Sequence, residues 1–116
     1  MSVTIYHNPR CTKSRETLAL LEARNLQLNI IHYLQTPLTI EQLKAVHEKL
    51  PHSQVRDMMR CKEALYKTLN LADPTLSDEA LFSAMVEHPI LIERPIVIAN
   101  QQARLGRPPE QVLDIL

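Results

Sequence analysis

Val3-Thr4-Ile5-Tyr6-His7-Asn8-Pro9-Arg10-Cys11-Thr12-Lys13-Ser14 begins as a strand and ends as the start of a helix. Residues 3–7 alternate β-branched and polar types, the period of a half-buried strand. Pro9 stiffens the turn that follows. The turn delivers Cys11 to the first turn of a helix, where unpaired N–H groups carry partial positive charge. A thiol at that position loses its proton more readily, and the thiolate is the reactive form. Arg10, Lys13 and Arg15 add cationic charge around it.

Outward from this stretch, the pattern is helical from Thr12 to about Arg24, with Leu18 and Leu21 on one face. Residues 27–33 read as a second strand. Strand, helix and strand in this order form a βαβ unit with parallel strands and a right-handed crossover. Thr39 and Gln42 have capping-box spacing, and a helix with Ile40, Leu43, Val46 and Leu50 follows until Pro51. Short helices are expected over 52–59 and 62–70. Ser77 caps another that reaches about Glu87, with Asp78 and Glu79 in its first turn. Residues 38–88 are thus expected to be helical and free of strands. Ile96 to Ala99 form a strand, Asn100-Gln101-Gln102 a hairpin turn, and Ala103 to Leu105 an edge strand. Pro108-Pro109-Glu110 opens a last helix.

This order, β-α-β, a helical insert at about 38–88, then β-β-α, resembles the thioredoxin fold. It implies one α/β domain over 1–116, three layers deep, with a mixed sheet of about four strands. Pro95, just before the third strand, occupies the place where that fold usually carries a cis proline. The sequence leaves the isomer open.

Composition narrows the function. The chain has 116 residues, 13 basic and 13 acidic, so its formal net charge is zero. A general nucleic-acid binder would carry a basic surplus. No apolar run approaches the roughly 18 residues of a membrane span, and no signal-peptide pattern precedes Val3. Two cysteines make no disulfide framework, and a reducing, cytoplasmic home is expected. Gly106 is the single glycine, which excludes glycine-rich phosphate loops. Cysteines and histidines show no tight metal spacing, so no metal site is expected. A phosphatase-type Cys-x5-Arg loop would need arginine at position 17, where Thr17 stands.

Cys11 is therefore the candidate nucleophile. Serine at position 14 in place of cysteine leaves it without a local resolving thiol. Ser14 has two readings: a donor to the Cys11 thiolate or to a bound anion, or a helix-start serine satisfying backbone N–H groups. His7 also has two: as a cation or proton carrier it would support thiolate formation, or it is a strand-end histidine bonded to backbone. Cys61 is either a structural thiol or a distant resolving partner. Arg94 lies at the Glu93-Arg94-Pro95 junction between apolar runs, which in a thioredoxin-like fold sits beside the active cysteine. Arg60 and Arg107 read unaided as surface charges.

Four separated motifs resemble the glutaredoxin-linked arsenate reductase family. They are Tyr6-His7-Asn8-Pro9-Arg10-Cys11 with Ser14-Arg15, Val55 to Arg60, His88 to Val97, and Arg104 to Pro108 followed by Val112 to Leu116. The resemblance runs nearly end to end. It implies that Cys11 attacks arsenate, that Arg60, Arg94 and Arg107 bind the oxyanion, and that His7 supports the thiolate. It implies no bound cofactor, glutathione as co-substrate, glutaredoxin as partner, and neither nucleic acid nor membrane as partners. Two other functions fit the same fold. One is a thiol oxidoreductase acting on another substrate, such as a glutathione mixed disulfide. The other is a non-enzymatic, RNA-polymerase-binding redox regulator, whose Cys-x-x-Cys switch Ser14 removes.

Overall fold

β1 (Ser2–Tyr6) is the organising strand of a computed structural model that describes residues 2–51 and 54–116. It pairs in parallel with β2 (Gln27–Ile31), Ser2 opposite Gln27 and Tyr6 opposite Ile31. On its other side it runs antiparallel to β3 (Ile96–Ala99), which pairs with β4 (Gln102–Leu105). The sheet order is β2-β1-β3-β4, the expected mixed four-stranded sheet.

Strand alternation sends side chains to two separate cores. Val3 and Ile5 of β1, with Val97 and Ala99 of β3, face α1 (Thr12–Glu22) and a C-terminal 3-10 helix (Pro109–Ile115). Tyr6, Ile96 and Ala103 face the helical insert. That insert comprises α2 (Ile40–Lys49), α3 (Ala64–Thr68) and α4 (Asp78–Glu87), with 3-10 turns at Val55–Met58 and Pro89–Leu91. The sheet is the middle layer of three. Both halves of the expected capping box are present on α2: Gln42 N donates to Thr39 Oγ1, and Thr39 N donates to Gln42 Oε1. Ser77 caps α4 as expected.

Several expectations need adjustment. β2 stops at Ile31 because the His32 carbonyl turns to accept from Gln35 and Thr36, which frees Tyr33 to fold inward. Of the short helix expected over 52–59, Val55–Met58 forms a 3-10 turn, and residues 52 and 53 lie outside the described residues. The helix expected over 62–70 is the shorter α3, ended where Asn70 takes φ 54°. The insert also contributes a β bridge, from Met59 to Ile92. The last helix is 3-10 and not α: Pro109, Val112 and Ile115 are its buried residues, a spacing of three that suits three residues per turn.

The β3–β4 turn is tighter than expected. Only Asn100 and Gln101 form it, at φ 52° and 61°, and Gln102 already pairs with Ala99. Positive φ at both central residues matches the strand twist in a two-residue hairpin. Asn100 Nδ2 donates to the Ile115 carbonyl at 2.7 Å, tying the hairpin to the C-terminal helix. Among the described residues no helix is long and apolar enough to cross a membrane.

Candidate active site

Cys11 is the N-cap residue of α1, with extended backbone at φ −96° and ψ 124°. It is only 9% exposed. Its N–H donates to the Asn8 carbonyl at 3.0 Å, and its carbonyl receives the Arg15 N–H at 3.0 Å. Arg15 braces the loop from outside through Pro9 O and Thr12 Oγ1. The thiol makes no side-chain capping hydrogen bond, but the Ser14 and Lys13 N–H groups face the sulfur and favour its anion. Burial pushes the Cys11 thiol up; the Ser14 N–H, then the charge and hydrogen bond of Arg94, then the Lys13 N–H outweigh it, and the net shift is below the ordinary 9.0. The side-chain cation that matters is thus Arg94, from a distant segment, and not Arg10, Lys13 or Arg15 alongside in sequence.

Ser14 is fully buried, and its hydroxyl is committed elsewhere. His7 Nδ1 lies 2.7 Å from Ser14 Oγ, which also accepts the Asn8 N–H at 3.0 Å. This corrects the reading of the Ser14 side chain as a donor to thiolate or anion: the backbone N–H of Ser14 faces the sulfur, while its hydroxyl holds the loop below. His7 is 4% exposed and packs edge-on against His32 at 5.7 Å. Burial lowers its pKa first, followed by His32 and Arg15, against an opposing pull from Glu22. The lowered pKa favours the neutral imidazole over the cation, and the ring is hydrogen-bonded to the Ser14 side chain.

Thr17 is the other buried polar residue of α1, and its hydroxyl bonds back to Lys13 O at 2.8 Å. Ser14, Thr17 and Leu21 form the inward stripe of a helix expected to bury Leu18 and Leu21. Thr17 supports the second half of the site. A Cβ at Gly106 would lie 2.5 Å from Thr17 Oγ1 and 2.6 Å from Pro95 Cγ, so only glycine fits there. Gly106 N donates to Pro95 O at 3.0 Å. This contact brings the residues beside the pair, Arg94 and Arg107, together: Arg107 Nη1 donates to Arg94 O at 3.4 Å. The Arg94–Pro95 and Arg107–Pro108 peptides are both cis, which settles the isomer of Pro95.

All three arginines singled out from sequence line one cleft of about 390 Å³, with Cys61, Lys62, Glu63 and Glu93. Arg60 pairs with Glu63 at 3.4 Å; Glu93 serves both Arg94 at 3.9 Å and Arg107 at 3.3 Å. Arg94 joins the cleft to Cys11, and its Nε is buried without a hydrogen-bond partner among the described residues. Beneath them lies Tyr33, 1% exposed. Burial pushes its phenol up, Arg94, Arg60 and a hydrogen bond with Asn8 draw it back, and Cys11 adds to the rise. Tyr33, Asn8 and Glu93 are thus part of the site, although residue type and spacing did not single them out. The clue for Tyr33 was a lone tyrosine just past a strand parallel to β1.

Cys61 is exposed, and its Sγ faces the carbonyls of Met59 and Arg56 at 3.6 and 3.7 Å. Among the described residues no cluster of three or more His, Cys, Asp or Glu could hold a metal ion.

A thioredoxin-like α/β chain with a lone helix-start thiol next to an arginine cleft is a narrow class. A model of the ArsC family matches residues 6–115, and the chain belongs to that family. It is 55% identical over 116 residues to an arsenate reductase of Haemophilus influenzae, covering 100% of both chains. It is equally identical, 55% over 114 residues, to the Escherichia coli protein YfgD, covering 98% of this chain and 96% of the other. The solved structure of an arsenate reductase from Vibrio cholerae superposes with a TM-score of 0.97 at 64% identity, covering 100% of this chain and 98% of that one.

Proposed function

We propose that the protein reduces arsenate to arsenite, with Cys11 as nucleophile and with glutathione and glutaredoxin as the source of electrons in the cytoplasm. The observation that carries this reading is Arg94, which reaches the Cys11 sulfur while lining the cleft that holds Arg60 and Arg107. A tetrahedral oxyanion seated there would meet a depressed-pKa thiol on one side and guanidinium groups on the other. Guanidinium forks match oxyanion geometry in a way lysine does not. The name and full-length identity of the Haemophilus influenzae relative support arsenate as that oxyanion.

The Cys11 thiolate attacks arsenic, a sulfur–arsenic bond forms, and one arsenate oxygen leaves as water. Glutathione adds to arsenic in the same way. A glutaredoxin thiolate then attacks the glutathione sulfur; a disulfide forms between them, and the pair of the broken sulfur–arsenic bond stays on arsenic, which falls from +5 to +3. Hydrolysis returns the Cys11 thiol and releases arsenite. Arg60, Arg94 and Arg107 balance the oxyanion charge throughout. No bound cofactor is needed. His7 and Ser14 act by position, holding the loop that presents Cys11. The test is arsenite production by purified protein with arsenate, glutathione and reduced glutaredoxin, with Cys11→Ser as control. Turnover in the native protein alone is expected; no arsenate-dependent turnover would remove the reading.

A further inference from the structure

The cleft is larger than an oxyanion alone needs. A tetrahedral oxyanion has five heavy atoms, whereas about 390 Å³ falls within the range of about 300–1,000 Å³ typical of pockets for drug-sized ligands. Its charges are also unevenly used. Arg60, Arg94 and Arg107 each have a carboxylate partner. Lys62 is exposed, lines the same cleft, and makes no ion pair among the described residues. With Arg60, Arg94 and Arg107 assigned to the oxyanion, Lys62 is left to meet a second negative group.

Cys11 needs a thiol from outside, because position 14 is serine and that hydroxyl is closed in by His7 and Asn8. A second, smaller hollow of about 210 Å³ at the Cys11 loop is lined by Arg10, His32 and other residues without a formal charge. That hollow has one arginine, so the cationic cleft is the better match for an acidic ligand. We propose that Lys62 forms a carboxylate-binding subsite for the small acidic thiol that supplies electrons at Cys11. This rests on the reading of the cleft as the reductase site and names where its co-substrate is held.

Glutathione is the probe. Lys62→Ala is expected to raise KM for glutathione about tenfold, the size of one charge-assisted contact. KM for arsenate and for glutaredoxin should stay unchanged, and Lys62→Arg should restore the native value. With 2-mercaptoethanol, which has no carboxylate, native protein and Lys62→Ala should turn over alike. Binding of S-methylglutathione, measured by calorimetry without arsenate, separates this proposal from the proposed function. It should bind the native protein and Arg10→Ala equally, and Lys62→Ala about tenfold more weakly. That result in a protein without arsenate turnover would leave the subsite standing and remove the reductase reading. No binding to the native protein, or equal binding to native and Lys62→Ala, would overturn the subsite.

Discussion

The two faces of the sheet position chemistry by different means. On the α1 face the thiol is held by polar groups in a buried setting: His7, Ser14 and the Asn8 N–H form a bonded chain beneath Cys11. On the insert face the cleft residues Arg60 and Glu93 are carried by apolar packing. Met58, Met59, Leu91 and Ile92 are buried, Met59 bridges Ile92, Arg60 N donates to Leu91 O, and Glu93 N donates to Met58 O. A hydrogen-bonded bracket fixes one atom's position tightly but fails when a single partner is lost. An apolar platform tolerates volume-conserving change and fails mainly when emptied. Arg94 is where the two constructions meet, since it reaches the sulfur on one face and lines the cleft on the other.

Removing that meeting point should have the largest effect. Arg94→Ala deletes the cation that helps hold the thiolate and one donor to the oxyanion. Loss of one preorganised donor lowers turnover about 10²–10³-fold in oxyanion sites. The same variant should raise the Cys11 pKa, read from alkylation rates by iodoacetamide across pH. Arg94→Lys should recover part of the pKa effect and little of the turnover, because lysine supplies charge without the guanidinium fork. Native kinetics in Arg94→Ala would detach the two faces from each other.

The faces themselves can be set against each other by two mild substitutions. Ser14→Ala leaves His7 Nδ1 and the Asn8 N–H without their shared partner, which should cost about 1–3 kcal/mol. Leu43→Met, in the insert core, keeps volume and polarity and should cost less than about 1.5 kcal/mol. Urea unfolding midpoints compare them directly. Equal losses would mean that the polar bracket is no more brittle than the apolar platform.

What was legible in the sequence follows the same division. The Cys11 loop, the βαβ unit and the Thr39 capping box are local patterns, and each stands where spacing put it. The meeting of Arg94 with Cys11 depends on β3 lying beside β1, a long-range pairing that no local period encodes. Resemblance to a fold supplied it. Local pattern could not choose between the two readings of Ser14, because its hydroxyl accepts a backbone N–H from Asn8, outside its own helix, and meets a histidine seven residues earlier. Tyr33 was hidden by a strand that ended two residues early. The 3-10 character of 109–115 was present in the spacing of Pro109, Val112 and Ile115, but proline at a helix start fits either helix type.

The smallest expected effect isolates His7. Its pKa is lowered from 6.5 in the folded protein, first by burial, then by His32 and Arg15, with Glu22 opposing. As pH falls below about 6.5 the unfolded chain takes up a proton at this position that the folded chain does not. The unfolded state then binds more protons, so stability rises with pH through this window and is lost as pH falls from about 6.5 towards the folded value. Other acid-sensitive groups contribute to any native profile, so the informative quantity is a difference. His7→Gln keeps an amide within reach of Ser14 but does not titrate. Urea midpoints at pH 7.5, 6.0 and 5.0 should decline less steeply in His7→Gln than in the native protein. Parallel profiles would mean that His7 takes its proton freely in the folded state, and the polar face would then lack the neutral, buried bracket that distinguishes it from the insert.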